Sequence, residues 1–121
     1  MWDDEFRSLS ERQLIDSGLG HLVDVVVWNY QPVLQLGQDV WTKYLNVFDS
    51  LWVASAFKGA TGPDKQLPDL AYHLENHRAW MNLVSSYRDT PQFKKFKGIM
   101  LTGWQRYGNL SFKSTVVKIN F

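Results

Sequence analysis

Three short apolar runs, each preceded by a segment with helical spacing, restrict this 121-residue chain to a small set of folds. Residues 22–28 (LVDVVVW) and 51–57 (LWVASAF) are nearly continuous apolar stretches, the pattern of strands covered on both faces, with Asp24 the exception. Residues 98–101 (GIML) form a third run, and residues 1–6 (MWDDEF) read as the end of a further strand entered midway. Ser10 and Gln13 can form a capping box that opens a short helix ending near Gly18. Pro32 suits a first helical turn, and Val33, Leu36, Val40, Tyr44 and Val47 then recur at helical spacing to about Phe48. The longest helix is expected after Pro68, with Leu70, Leu74, His77, Met81 and Val84 on one face and a stop before Pro91.

The resulting β-α-β-α-β-α-β order calls for parallel strands joined by right-handed crossovers. No helix-like segment follows the last strand; residues 115–121 are β-prone instead. An open parallel sheet this small would leave apolar faces and strand edges uncovered. A flavodoxin-like sheet normally has five strands, whereas a (β/α)8 barrel needs about 250 residues, roughly twice this length. The expected fold class is therefore α/β, the C-terminal half of a (β/α)8 TIM barrel with about three and a half βα units. It would occupy residues 1–107, followed by a divergent tail at 108–121.

Composition narrows the function. A formal charge of +1, from 13 basic against 12 acidic residues, gives no footprint for nucleic acid or an anionic membrane surface. There is no cysteine, so thiolate chemistry is excluded, and no apolar run reaches the roughly 18 residues of a membrane-spanning helix. The acidic start is not a signal peptide. No cofactor is expected.

The carboxyl ends of parallel strands are where such sheets present ligand-binding side chains. Here those ends are Trp2-Asp3-Asp4, Trp28-Asn29-Tyr30, the segment at 57–62 (FKGATG), and Trp104-Gln105-Arg106-Tyr107. Three of them carry a Trp followed at once by hydrogen-bonding residues. A single Trp there could simply cap the core, but the repetition suggests a pocket. A sugar offers C–H faces to an aromatic ring and hydroxyl edges to polar groups, and aromatic walls with a few polar groups suit small-molecule pockets generally.

At these strand ends, Trp2-Asp3-Asp4 and residues 51–62 (LWVASAFKGATG), 72–80 (YHLENHRAW) and 98–107 (GIMLTGWQRY) resemble the hexosaminidase D-like branch of glycoside hydrolase family 20. The resemblance implies part of a β-N-acetylhexosaminidase acting on terminal β-linked N-acetylgalactosamine or N-acetylglucosamine, in cytoplasm and nucleus. It implies substrate-assisted retaining chemistry, in which the 2-acetamido oxygen attacks the anomeric carbon while an Asp-Glu pair orients it and protonates the leaving oxygen. Carried over by position, Trp2, Trp28 and Trp104 would wall the sugar pocket, with Asp3 or Asp4 accepting hydroxyl hydrogen bonds and Tyr30, Arg106 and Tyr107 completing it. No catalytic residue is carried over. Asp4-Glu5 follows the motif of a later pocket strand, so it is not read as the catalytic pair. Two departures stand out: Arg106 occupies a position where many relatives have a sugar-gripping Glu, and Phe57 lies nearest the place of a pocket Tyr.

Other motifs have plainer readings. His73 and His77 are an i, i+4 pair without zincin spacing, so packing or helix-surface hydrogen bonding is preferred over metal binding. Residues 58–62 (KGATG) lack P-loop order, and residues 93–97 (FKKFK) precede a strand on the face opposite the site. Three functions stay open: part of a glycosidase that binds a small-molecule glycoside; a non-catalytic product that binds sugar weakly or pairs with the full-length enzyme through its open strand edges; and an unrelated small doubly wound binding domain. A homodimer stays open as a separate partner.

Overall fold

The computed structural model describes residues 1–58, 70–107 and 111–121, with backbone alone at 58, 104–107 and 111–114. Helix α1 (Glu11–Ser17) begins at the expected capping box. The Gln13 N–H donates to Ser10 Oγ at 3.1 Å and the Ser10 N–H donates to Gln13 Oε1 at 2.9 Å. It stops at Gly18, whose φ of 72° is a left-handed cap that glycine adopts without a Cβ clash. Strand β1 (Val25–Trp28), helix α2 (Gln38–Val47), strand β2 (Leu51–Lys58), helix α3 (Leu70–Ser86), strand β3 (Phe96–Tyr107) and strand β4 (Ser111–Asn120) follow in order.

The strands form one mixed sheet in sequential order β1-β2-β3-β4. β1, β2 and β3 run parallel, with Val27 beside Val53 and Val53 beside Ile99. β4 is antiparallel to β3. Trp2 adds a single parallel bridge to Val26, after which Asp3–Glu5 turns into a short 3-10 helix. Residues 1–6 thus bring a strand end alongside β1, as their pattern suggests.

The apolar core lies on one face of this sheet. Val25, Val27, Leu51, Val53 and Ile99 project there and meet Leu14 of α1, Trp41, Tyr44 and Leu45 of α2, and Trp80 and Val84 of α3. Alternation sends Val26, Trp52 and Ala54 to the other face, a small separate cluster flanked by Trp28 and Met100. All three α-helices among the described residues thus cover the same face.

Four expectations are corrected. β1 starts at Val25 rather than residue 22, because Leu19–His21 forms a 3-10 turn that leaves Leu22 exposed. α2 starts after Gly37 and not at Pro32. The chain leaving β1 is tied instead to α3, because Asn76 Nδ2 donates to the carbonyls of Asn29 at 2.9 Å and Gln31 at 2.6 Å. Those tertiary bonds hold the segment after β1 to α3, and Val33 stays exposed.

The third correction concerns α3. Its buried residues are His73, Asn76, Trp80 and Val84, while Leu70, Leu74 and Met81 are exposed. Apolar periodicity marked the wrong flank because Asn76 and Trp80 enter the core with their N–H donors bonded to backbone carbonyls. Trp80 Nε1 donates to the Asn29 carbonyl at 2.9 Å. The fourth is β3, which does not stop near Leu101. Its parallel pairing with β2 ends at Lys58 beside Gly103, and the strand continues to Tyr107 paired with β4. Residues 104–107 therefore continue as a strand paired on one side with β4 instead of opening directly into a loop.

Candidate strand-end pocket

The strand end at Trp2 and the carboxyl end of β1 lie side by side through the Trp2 bridge to Val26. A cavity of about 290 Å³ opens there, lined by Trp2, Asp4, Trp28 and Tyr30. Trp2 and Asp4 come from the turn after the first strand end, and Trp28 and Tyr30 from the end of β1. Pairing of Trp2 with Val26 sets the two strand ends side by side.

Trp28 is held from several directions. Its indole N–H donates to Asp4 Oδ2 at 3.2 Å, Tyr30 leans on it at 5.2 Å between ring centroids with a 35° tilt, and the Arg7 guanidinium lies over it at 4.8 Å. Arg7 also donates to the Trp28 carbonyl at 2.6 Å. Ring and backbone are thus gripped by one side chain. Trp2 is more open, and Asp4 is exposed with its carboxylate at the cavity wall. Chemically, the arrangement offers aromatic surface to an apolar ligand face and a carboxylate that accepts from hydroxyl groups.

Asp3 sits behind this wall. It is fully buried, takes two bonds from Arg7 at 2.6 and 3.2 Å, and accepts from the Tyr44 hydroxyl at 3.0 Å. Burial pushes the Tyr44 hydroxyl pKa well above its ordinary value, and the Asp3 charge pushes it further, so Tyr44 remains a donor to Asp3. For Arg7, burial opposes the charge, but the hydrogen bond and charge of Asp3 outweigh it and raise the pKa. Lys43 completes the support by donating to the carbonyls of Phe6, Arg7 and Leu9 at 2.8–3.0 Å. Its pKa is lowered by burial. In the 3-10 turn Glu5 is exposed.

Of the residues expected at the site, Trp2, Asp4, Trp28 and Tyr30 come together, and Asp3 lies in the layer beneath them. Trp104, Arg106 and Tyr107 are placed by backbone in β3, and their side chains lie outside the described residues. The strand-end segment at 57–62 likewise lies outside the described residues beyond Lys58. Arg7 and Tyr44 were missed. Arg7 stands four residues after Asp3, an ion-pair spacing legible in sequence, whereas Tyr44 is forty-one residues away and only folding reveals it.

His73 is buried and His77 half-buried on α3, as the packing reading expects. Burial lowers the His77 pKa, and the neighbouring His73 lowers it further. Among the described residues no cluster of three or more His, Asp or Glu side chains could hold a metal ion, and no helix is long and apolar enough to cross a membrane.

No family model matches the chain. Among curated proteins, it is similar to hexosaminidase D of Homo sapiens, 43% identical over 114 residues. That match covers 92% of this chain and 23% of the human protein. Hexosaminidase D of Bos taurus is 44% identical over 115 residues, covering 92% of this chain and 32% of the bovine protein. The chain thus spans about a quarter to a third of the length of the curated relatives it matches.

Proposed function

We propose that this chain, homologous over nearly all its length to part of hexosaminidase D, supplies one wall of the amino-sugar pocket in a β-N-acetylhexosaminidase barrel. The observation that carries this reading is the cavity at two neighbouring strand ends, where Trp2, Trp28 and Tyr30 surround the Asp4 carboxylate. The rings would take the acetamido methyl and the C–H face of the sugar, and Asp4 would accept from ring hydroxyls. Arg7, Asp3 and Tyr44 would hold those walls in place from behind.

The half-barrel reading draws support from two features. The sequential order of the parallel strands β1-β2-β3, and helices on a single face, both suit a barrel segment whose other face looks inward, while antiparallel β4 falls in the divergent tail outside that pattern. A doubly wound sheet would place helices on both faces and reverse its order at a switch point. Catalysis in this proposal belongs to an Asp-Glu pair contributed from elsewhere, in a substrate-assisted retaining mechanism. The preferred setting is cytoplasmic and nuclear.

Binding of N-acetylgalactosamine and N-acetylglucosamine, followed by indole fluorescence and by NMR shifts of the Trp side-chain N–H groups, tests this directly. The N-acetylated sugars should perturb Trp2 and Trp28 at millimolar concentration, and galactose and glucose should do so less. Trp28→Ala should abolish the effect, and the isolated chain should not hydrolyse an aryl N-acetyl-β-galactosaminide. Equal responses to acetylated and plain sugars, or shifts confined to other tryptophans, would refute the pocket assignment. Turnover that disappears in Glu5→Gln would instead show that Asp4-Glu5 is catalytic.

A further inference from the structure

The last strand has an uncommon combination of properties. β4 is the terminal strand of the sheet, so its outer row of backbone N–H and C=O groups has no strand partner among the described residues. Its register with β3 runs from Gly98 beside Asn120 to Tyr107 beside Ser111 without a shift, so no bulge twists the edge away. Residues 111–121 contain no proline and no acidic residue. Val116, Val117, Ile119 and Phe121 are all exposed. Bulges, prolines and charged side chains are the devices by which sheets protect such edges.

β4 carries two charged residues, Lys113 and Lys118; the Lys113 side chain lies outside the described residues, and Lys118 does not guard the edge. Its ammonium lies over the Trp52 ring at 4.2 Å, on a strand two positions inward. Gly98 makes this possible: a methyl group there would collide with the Trp52 ring and the Ile119 carbonyl. The lysine is drawn across the sheet, and from Thr115 to Asn120 no other charged side chain stands on the edge.

We infer that the free edge of β4 binds the β4 edge of a second copy of this chain, antiparallel about a two-fold axis near Val116. An identical strand is the occupant because one unbroken register then satisfies both bare rows, and the interface is self-complementary. An antiparallel pair of like edges requires an axis perpendicular to the sheet. One residue then faces its own copy, and both helix layers stay on the same side of a continuous eight-stranded sheet. Centring on Val116, near the middle of Ser111–Asn120, pairs almost the whole strand. It sets Thr115 opposite Val117 and Lys118 opposite Ser114, so no like charges meet.

The absence of native cysteine makes the test clean. Light scattering on the unmodified chain should show a concentration-dependent shift from monomer to dimer. Val116→Cys, oxidised with copper phenanthroline, should form a disulfide dimer on the order of ten times faster than Ser85→Cys on exposed α3, because directly opposed strand residues hold their Cβ atoms about 4.5–5.5 Å apart. Val116→Lys should be monomeric, and mixing it with Val116→Glu should restore a dimer. Monomeric behaviour of the unmodified chain at all concentrations would overturn the inference. So would cross-linking at Val116→Cys no faster than at Ser85→Cys. The light-scattering result involves no substitution and stands whatever the variants do.

Discussion

On the helix-covered face of the sheet, Val25, Val27, Leu51 and Val53 lie among Trp41, Tyr44 and Trp80. On the opposite face the described surroundings of Trp52 are Val26 and Ala54, flanked by Trp28 and Met100, with Gly98 against its ring, a hydrogen bond to Asp24 and the Lys118 ammonium. The same strands supply both rows, yet one row is a core and the other a thin cluster. What differs is the crossover geometry, which among the described residues sends the three α-helices to one side and leaves the other with a small cluster around Trp52. A sheet built this way has one covered face and one open face. It carries the candidate pocket at one strand terminus and, among the described residues, an unpaired edge on β4.

Cutting a large ring from each face is the most direct way to break this contrast. Trp80→Ala removes a fully buried indole and its bond to the Asn29 carbonyl, and should cost about 3–5 kcal/mol in urea unfolding. Trp52→Ala should cost less, about 1.5–3 kcal/mol, because fewer neighbours lose contact. Equal losses would mean that the second face is packed as tightly as the first.

The layer beneath the pocket gives the next largest effect. Arg7→Met strands the buried Asp3 carboxylate without its partner and should destabilise the fold by about 3 kcal/mol. Adding Asp3→Asn should recover most of that loss, since the uncompensated charge is gone. If the double variant is as unstable as the single one, Arg7 acts through its grip on Trp28 and not through the ion pair.

The smallest effect concerns α3. Burial holds the His77 pKa below its ordinary value of 6.5, so the unfolded chain takes up the proton more readily than the folded one. Stability from this group is complete above pH 6.5 and falls as pH drops through that value toward the lower folded pKa. Thermal unfolding measured at a series of pH values should show this slope, and His77→Gln should flatten it. An unchanged slope would locate the titration elsewhere.

Local signals carried much of this architecture. The Ser10–Gln13 box and Gly18 bounded α1 because capping involves residues three positions apart, and propensity and tertiary context agree there. The runs in β1 and β2 were visible because strands buried on both faces need apolar side chains at every position. Parallel order followed from the alternation of strands and helices. The pocket was half legible: Trp2, Asp4, Trp28 and Tyr30 could be read as strand-end residues, and their meeting depended on the Trp2–Val26 bridge.

Tertiary structure decided the rest. Periodicity chose Leu70, Leu74 and Met81 for the inner face of α3, but the helix turns Asn76 and Trp80 inward because the Asn29 and Gln31 carbonyls supply their partners. Asp3 looked like a pocket acceptor beside Asp4, yet adjacent residues point in different directions and only Asp3 finds Arg7 and Tyr44. β3 reached Tyr107 because β4 folds back to pair with it, a contact between segments whose own sequences announced a strand end and a tail. What the amino-acid sequence by itself determined was the alternation of elements and the chemistry at their ends. Which side chains face inward, and which edge stays open, was settled by partners distant in sequence, because a buried polar group goes where its hydrogen bond is.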